Sequence, residues 1–188
     1  METSEALDRA VTELGKFVRD EIAATSVAIG CLRAIATQTL SHIRTSGDHE
    51  SVRLIDAEVE GFTFVPRITG LNGAQTLLRE VSMGGMIHAR LTQQLIVTVF
   101  TGWDAHHRAR IATARGLETD ELRSDYFGDL RLLRNDIAHS RGLAKRSVRC
   151  AGAVLSRELK TGDLIYLGDD ELANLSAKVP YSELIGRE

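Results

Sequence analysis

The stretch "DLRLLRNDIAHSRG", residues 129–142, decides the fold. Its apolar residues Leu130, Leu133 and Ile137 recur at three- and four-residue steps, the spacing that puts side chains on one face of an α-helix. Gly142 supplies the stop. Extended backwards through "LETDELRSDYFG", the stripe gains Leu122 and Tyr126, and the pattern predicts a helix over about 119–141 with Thr119 as N-cap and acidic residues in the first turn. Polar side chains border the packed face. Arg134 and His139, five residues apart, flank the stripe about 140° from each other, while Asn135 and His139 are neighbours at four-residue spacing.

The stretches before this helix are also helical in pattern. From about Ser4 to Ile43 apolar residues recur at helical steps, with Gly15 and Gly30 as places where the helix kinks or splits. "TSGDHE" (45–50) is a turn signal, and "LIDAEVEGFTFVPRITGLNG" (54–73) reads as a connector holding one short strand or hairpin. Helical character returns near Ala74, breaks at "MGGM" (83–86) and runs on to a cap at Arg115-Gly116, with Leu91, Leu95, Val99, Trp103 and Ile111 on the buried face. After Gly142, "DLIYLG" (163–168) reads as a short strand, and Asp169 as the cap of a small helix through Lys178.

A length of 188 residues suits one domain. With 43% hydrophobic and 26% charged residues, the composition is that of a soluble globular chain. The apolar run "LIVTVF" (95–100) is far too short to span a membrane, and "METSEALDRAVTELG" lacks the basic start and apolar centre of a signal peptide, so a cytoplasmic location is expected. Cys31 and Cys150 lie far apart without metal-ligand spacing, and both are expected to be reduced and structural.

The net charge of −3 is unevenly spread. Between Arg131 and Arg149, six basic residues face only Asp136. Such a segment on an acidic body is either a solvated surface or a site for a phosphate-bearing ligand. If the helix face carrying Arg134 and His139 meets its own copy across a twofold axis, two arginines and two histidines converge. That set can cleave RNA without a metal: histidine moves a proton to or from the reacting oxygens, and an arginine fork holds the phosphate.

"RNDIAH" (134–139), an arginine and a histidine separated by four residues near the end of a helix, resembles the Arg-x4-His motif of HEPN domains. The likeness covers roughly residues 119–143. It implies a mostly α, HEPN-like helical bundle spanning 1–188, with short strand or hairpin elements and a small C-terminal extension over about 147–188. It also implies a homodimeric, metal-independent endoribonuclease that needs no cofactor, with Arg134, Asn135 and His139 as the catalytic set. Arg131, Arg141, Lys145 and Arg146 would track the RNA backbone. The setting it implies is bacterial defence or a toxin–antitoxin pair with a regulatory antitoxin. The alternative is a non-catalytic HEPN-like helical module that binds a nucleotide or partner protein. In a purely structural reading, His139 caps the helix end or contacts Asp136, and Arg134 pairs with Asp129 or the neighbours of Asp136.

Other polar groups carry weaker signals. Asp104, His106 and His107 invite a metal reading, but adjacent helical histidines diverge by about 100°, and Asp104 pairing with Arg108 at four-residue spacing is the expected arrangement. His88 sits on an apolar helix as a core or interface residue. Neither "GLNG" nor "MGGM" matches a phosphate loop, and neither Ser140 nor Cys150 has a nucleophile's context.

Overall fold

The computed structural model describes residues 2–46, 52–53, 57–59, 62–64, 67–68, 70–145, 150 and 154–186. The chain is mostly α-helical. Its elements are α1 (Glu2–Ser46), four short strands β1 (Val52–Arg53), β2 (Ala57–Val59), β3 (Phe62–Phe64) and β4 (Arg67–Ile68), then α2 (Gly70–Val81), α3 (Met86–Gly102), a π-helical turn (Trp103–His107), α4 (Arg108–Arg115), α5 (Asp125–His139), α6 (Asp169–Ala177) and α7 (Tyr181–Leu184).

Where length suggests one domain, packing distinguishes two compact units: Met1–Thr25 with Ala89–Glu188, and Ser26–His88. The reason lies in α1, which is unbroken at Gly15 and Gly30 and runs for 45 residues. At 1.5 Å per residue that is roughly 68 Å, more than twice the width of a small domain. Its two ends therefore join different cores. An 18-residue window of α1 is also apolar and long enough, by composition alone, to cross a membrane.

In the smaller unit, Leu40 and Ile43 of α1 pack with Ala74, Leu77 and Leu78 of α2. The Arg33 Nε donates to the Val81 carbonyl at 3.1 Å, tying α2's end to α1. The connector forms two antiparallel pairs, β1 with β4 and β2 with β3, more than the one hairpin expected. His88 is buried.

The larger unit is a helical bundle around one core. Val11, Leu14 and Val18 of α1 pack with Leu95 and Val99 of α3, Ile111 of α4, and Leu130 and Leu133 of α5. Leu91 is only half-buried. Gly116 ends α4 in the left-handed conformation at φ 69°, as its position after the apolar run implies. Residues 154–184 are no appendage: Val154, Leu155, Leu159, Ile165, Leu167, Leu175 and Leu184 belong to this same core. Short elements joined by loops carry too little periodicity to announce that role. The expected strand at 163–168 amounts to a single antiparallel bridge, Leu143 with Leu164. Gly168, one residue before the expected Asp169, caps α6, its N–H bonded to Glu171 Oε2 at 2.9 Å.

Buried Gln93 ties these parts together. Its Nε2 donates to the carbonyls of Ile165 (2.8 Å) and Gly142 (3.2 Å), and its Oε1 accepts from Arg90. At Gly142, φ is 82° and an added Cβ would fall 2.4 Å from Gln93 Nε2, so both conformation and space demand glycine there. Gly142's carbonyl keeps the Ile165 N–H, so Gln93→Leu strands chiefly the Ile165 carbonyl. We expect a loss of about 1–3 kcal/mol, read by denaturant unfolding; an unchanged midpoint would contradict this account of the anchor.

Candidate functional site

Helix α5 begins at Asp125, six residues later than its stripe suggests, with Ser124 and not Thr119 at the N-cap. Two contacts explain the delay. Glu121 Oε2 accepts the Glu118 N–H at 2.8 Å, folding residues 118–121 into a turn. The Leu122 carbonyl, which a longer helix would use internally, accepts Arg108 Nε at 3.1 Å.

The helix's apolar face is consumed within the chain. Tyr126 is 2% exposed and Leu130 and Leu133 are 0%, with Ile137 packed against the same core. The Tyr126 hydroxyl donates to the Leu175 carbonyl, and burial raises its pKa so that the phenol stays protonated. Phe127 stacks on Trp103 at 3.8 Å and 4°. The stripe therefore offers no seam to a second copy, because residues 154–184 already cover it.

The opposite face is polar and open. Gly128, Arg131 and Asn135 recur at helical spacing and line a cleft of about 690 Å³, together with Arg134, the loop residues Asp120 and Arg123, and Phe100 and Trp103. Trp103 opens the π-helical turn, closed by the Arg108 N–H on the Trp103 carbonyl. Such turns recur at functional sites. In the cleft, the Arg108 guanidinium sits 3.6 Å from Asp104, the pairing expected from their spacing. His107 lies against Phe17, with ring centroids 5.3 Å apart, and burial lowers its basicity. His106 is exposed.

Arg134 is half-buried, and its Nη1 donates to Asn135 Oδ1 at 3.0 Å, not to Asp129. Arg123 and Arg131 are exposed, and no ion pair holds either among the described residues. His139, the last residue of α5, is exposed and lies beyond the cleft lining, although it continues the face of Arg131 and Asn135 by one turn. Its expected neighbour Asp136 instead accepts the Lys145 backbone N–H at 3.0 Å. Arg141, at φ 57°, and Lys145 are exposed on the turn that follows. Arg146 lies outside the described residues.

Thus Arg131, Arg134 and Asn135 line one cleft, whereas His139 at the end of α5 and Arg141 and Lys145 on the turn beyond it do not. Within one chain Arg134 and His139 do not converge. An arginine fork braced by an amide suits a phosphate oxygen, and an imidazole at an open helix end can exchange a proton with a ligand. Gly128, Asp120, Arg123 and Asp125 line the cleft without standing out in the sequence pattern; a glycine inside a well-formed helix is the available signal. No protein-family model matches the chain, and neither the curated proteins nor the solved structures contain a significant match.

Cys150 lies behind α5, where burial, with Asp129 adding to it, pushes its thiol up to about 11. At pH 8 about one molecule in a thousand then carries the thiolate. Cys31 is exposed. Ellman's reagent at pH 8 should modify one thiol quickly in the folded protein, and Cys31→Ser should abolish that phase; two fast thiols would show that Cys150 is not shielded.

Proposed function

We propose that this protein is a metal-independent endoribonuclease of the HEPN type whose site is completed by a second copy. The observation that carries the reading is the open polar face of α5, on which Arg131, Asn135 and His139 stand in line beside Arg134. A twofold axis across that face brings two histidines and two arginines to one phosphate. One His139 takes the proton from the ribose 2′-hydroxyl. The 2′-oxygen attacks the adjacent phosphorus, and the bond to the 5′-oxygen breaks. The second His139 returns a proton to that leaving oxygen. Arg134, oriented by Asn135, holds the charge that develops on the phosphate oxygens. Arg131, Arg141, Lys145 and Arg146 track the strand.

The homodimer and a defence or toxin–antitoxin setting with a regulatory partner belong to the same proposal and rest on the sequence resemblance; the cytoplasmic location is proposed from the charged start of the sequence. The alternative, a non-catalytic module for a nucleotide or partner, is favoured by one observation: the cleft is complete within one chain and excludes His139.

The purified protein should be a dimer at micromolar concentration by light scattering, and a monomer would remove the composite site. It should cut single-stranded RNA in EDTA, leaving 2′,3′-cyclic phosphate and 5′-hydroxyl ends. His139→Ala should lower the rate by about 10²–10⁴-fold, and Arg134→Ala should also impair it. Lys145→Ala should mildly weaken binding and reduce the salt slope by about 0.7. Equal cleavage by wild type and His139→Ala, or cleavage only with added divalent metal, would defeat the mechanism. An inactive, well-folded dimer would favour the binding module.

A further inference from the structure

The glycines of the larger unit divide by what surrounds them. A Cβ at Gly15 would strike the Tyr181 ring, and one at Gly102 would strike Phe17, so close packing accounts for both. Gly128 is different. It sits inside α5, where glycine costs about 1 kcal/mol relative to alanine, and a Cβ there would meet nothing within 4 Å. No neighbour among the described residues asks for its absence. Gly30 has equally open surroundings, but it lies on an exposed stretch of α1, whereas Gly128 forms part of a cavity wall. A bare stretch of helix backbone at the floor of a cleft lets a ligand approach more closely than any side chain would allow.

The cleft's polar groups are ordered along α5. Asp125 stands at the N-terminal end, Gly128 one turn on, and Arg131 about 9 Å from Asp125 along the axis. Arg131 is exposed and Arg134 is braced on Asn135, so the C-terminal end is built for an anion. The other end carries Asp125 and, from the loop, Asp120 and Arg123, a mix of carboxylate acceptors and a guanidinium donor that suits the hydrogen-bonding edge of a base. Half-buried Phe100 adds an aromatic surface. Trp103 and Phe127 spend their faces on each other. The cleft is half open, and its volume of about 690 Å³ exceeds what a bare phosphate fills.

We propose that this cleft seats one nucleoside phosphate, with its phosphate on Arg131 and Arg134, its sugar over Gly128 and its base toward Asp120 and Asp125. The seat deepens the ribonuclease reading by naming where one nucleotide of the strand is held, and it rests on that reading only for the source of the ligand. A free nucleotide and a strand present the same chemistry.

The test is calorimetry on the full chain with each of the four nucleoside 5′-monophosphates, a non-cleavable 2′-deoxy-substituted tetranucleotide and inorganic phosphate. At least one nucleotide or the tetranucleotide should bind tenfold or more tightly than phosphate. Gly128→Leu should weaken that binding at least tenfold while the melting temperature stays level or rises, because leucine is the better helix former. Gly128→Ala adds only a methyl group and should act in the same direction by a smaller factor, which covers the case of a misfolded leucine variant. Arg131→Ala should weaken nucleotide and phosphate alike. Binding by mononucleotides points to a free nucleotide as the ligand, and binding by the tetranucleotide alone points to the strand. Phosphate binding as tightly as every nucleotide, or glycine variants binding as well as wild type, would overturn the seat. Cleavage measured in parallel separates the two ideas: an unchanged KM for RNA in Gly128→Leu removes the seat and leaves the nuclease. Gly128-dependent binding without cleavage does the reverse.

Discussion

The face-to-face stack of Trp103 on Phe127, 3.8 Å apart, governs what α5 can present. With the Tyr126 ring at right angles to Phe127, it turns three aromatic groups inward and leaves Gly128, Arg131 and Asn135 on the other side. The π-helical turn contributes by setting Trp103 at the junction of α3 and α4. Were the helical register at the end of α3 changed by one residue, Trp103 would rotate by about 100° and the stack would be lost. The cleft is thus the reverse side of the core.

That division also sets the terms on which a second copy could meet α5. Isologous interfaces usually have an apolar centre, and here the apolar stripe is spent. Pairing through the polar face would set Arg131 and Arg134 against their own mates, a like-charge contact that costs free energy until an anion lies between them. A phosphate placed there would relieve the repulsion and bind both copies, so self-association and anion binding through this face would favour each other. An interface of this kind would weaken as salt rises.

Much of this arrangement was legible in the residues. Three- and four-residue spacing located the long N-terminal helix, the rod ending at Gly116 and the packed face of α5, because burial imposes the helical period on whichever side faces the core. The start of α5 was not legible. Thr119 and Ser124 both precede acidic residues, and the choice between them depends on Arg108 reaching the Leu122 carbonyl from another helix. The part played by residues 154–184 was hidden for a similar reason, since their leucines find the core through loops and not through a regular period. Gly15 and Gly30 suggested breaks in α1, yet the helix passes through both, one beside Tyr181 and one in open space. For the site, the local cluster Arg131–Asn135 followed from one helix. Its completion by Asp104, Asp120 and Arg123 required three separate segments to meet.

The end of α5 shows how a buried polar group can govern an exposed one. Terminal helical turns commonly fray, and His139 is the last helical residue. Here the following turn is held on both sides. Ser140 and Gly142 donate backbone bonds to Asp136 and Ile137, the Lys145 N–H binds the Asp136 carboxylate, and Gln93 grips the Gly142 carbonyl from within. Arg141 and Gly142 both take positive φ to make this closure, a strained choice for arginine that the surrounding bonds sustain. The His139 side chain therefore projects from a backbone that hydrogen bonds tie down on both sides of the turn. Gln93, which is not among the cleft-lining residues, supports the end of α5 through this turn.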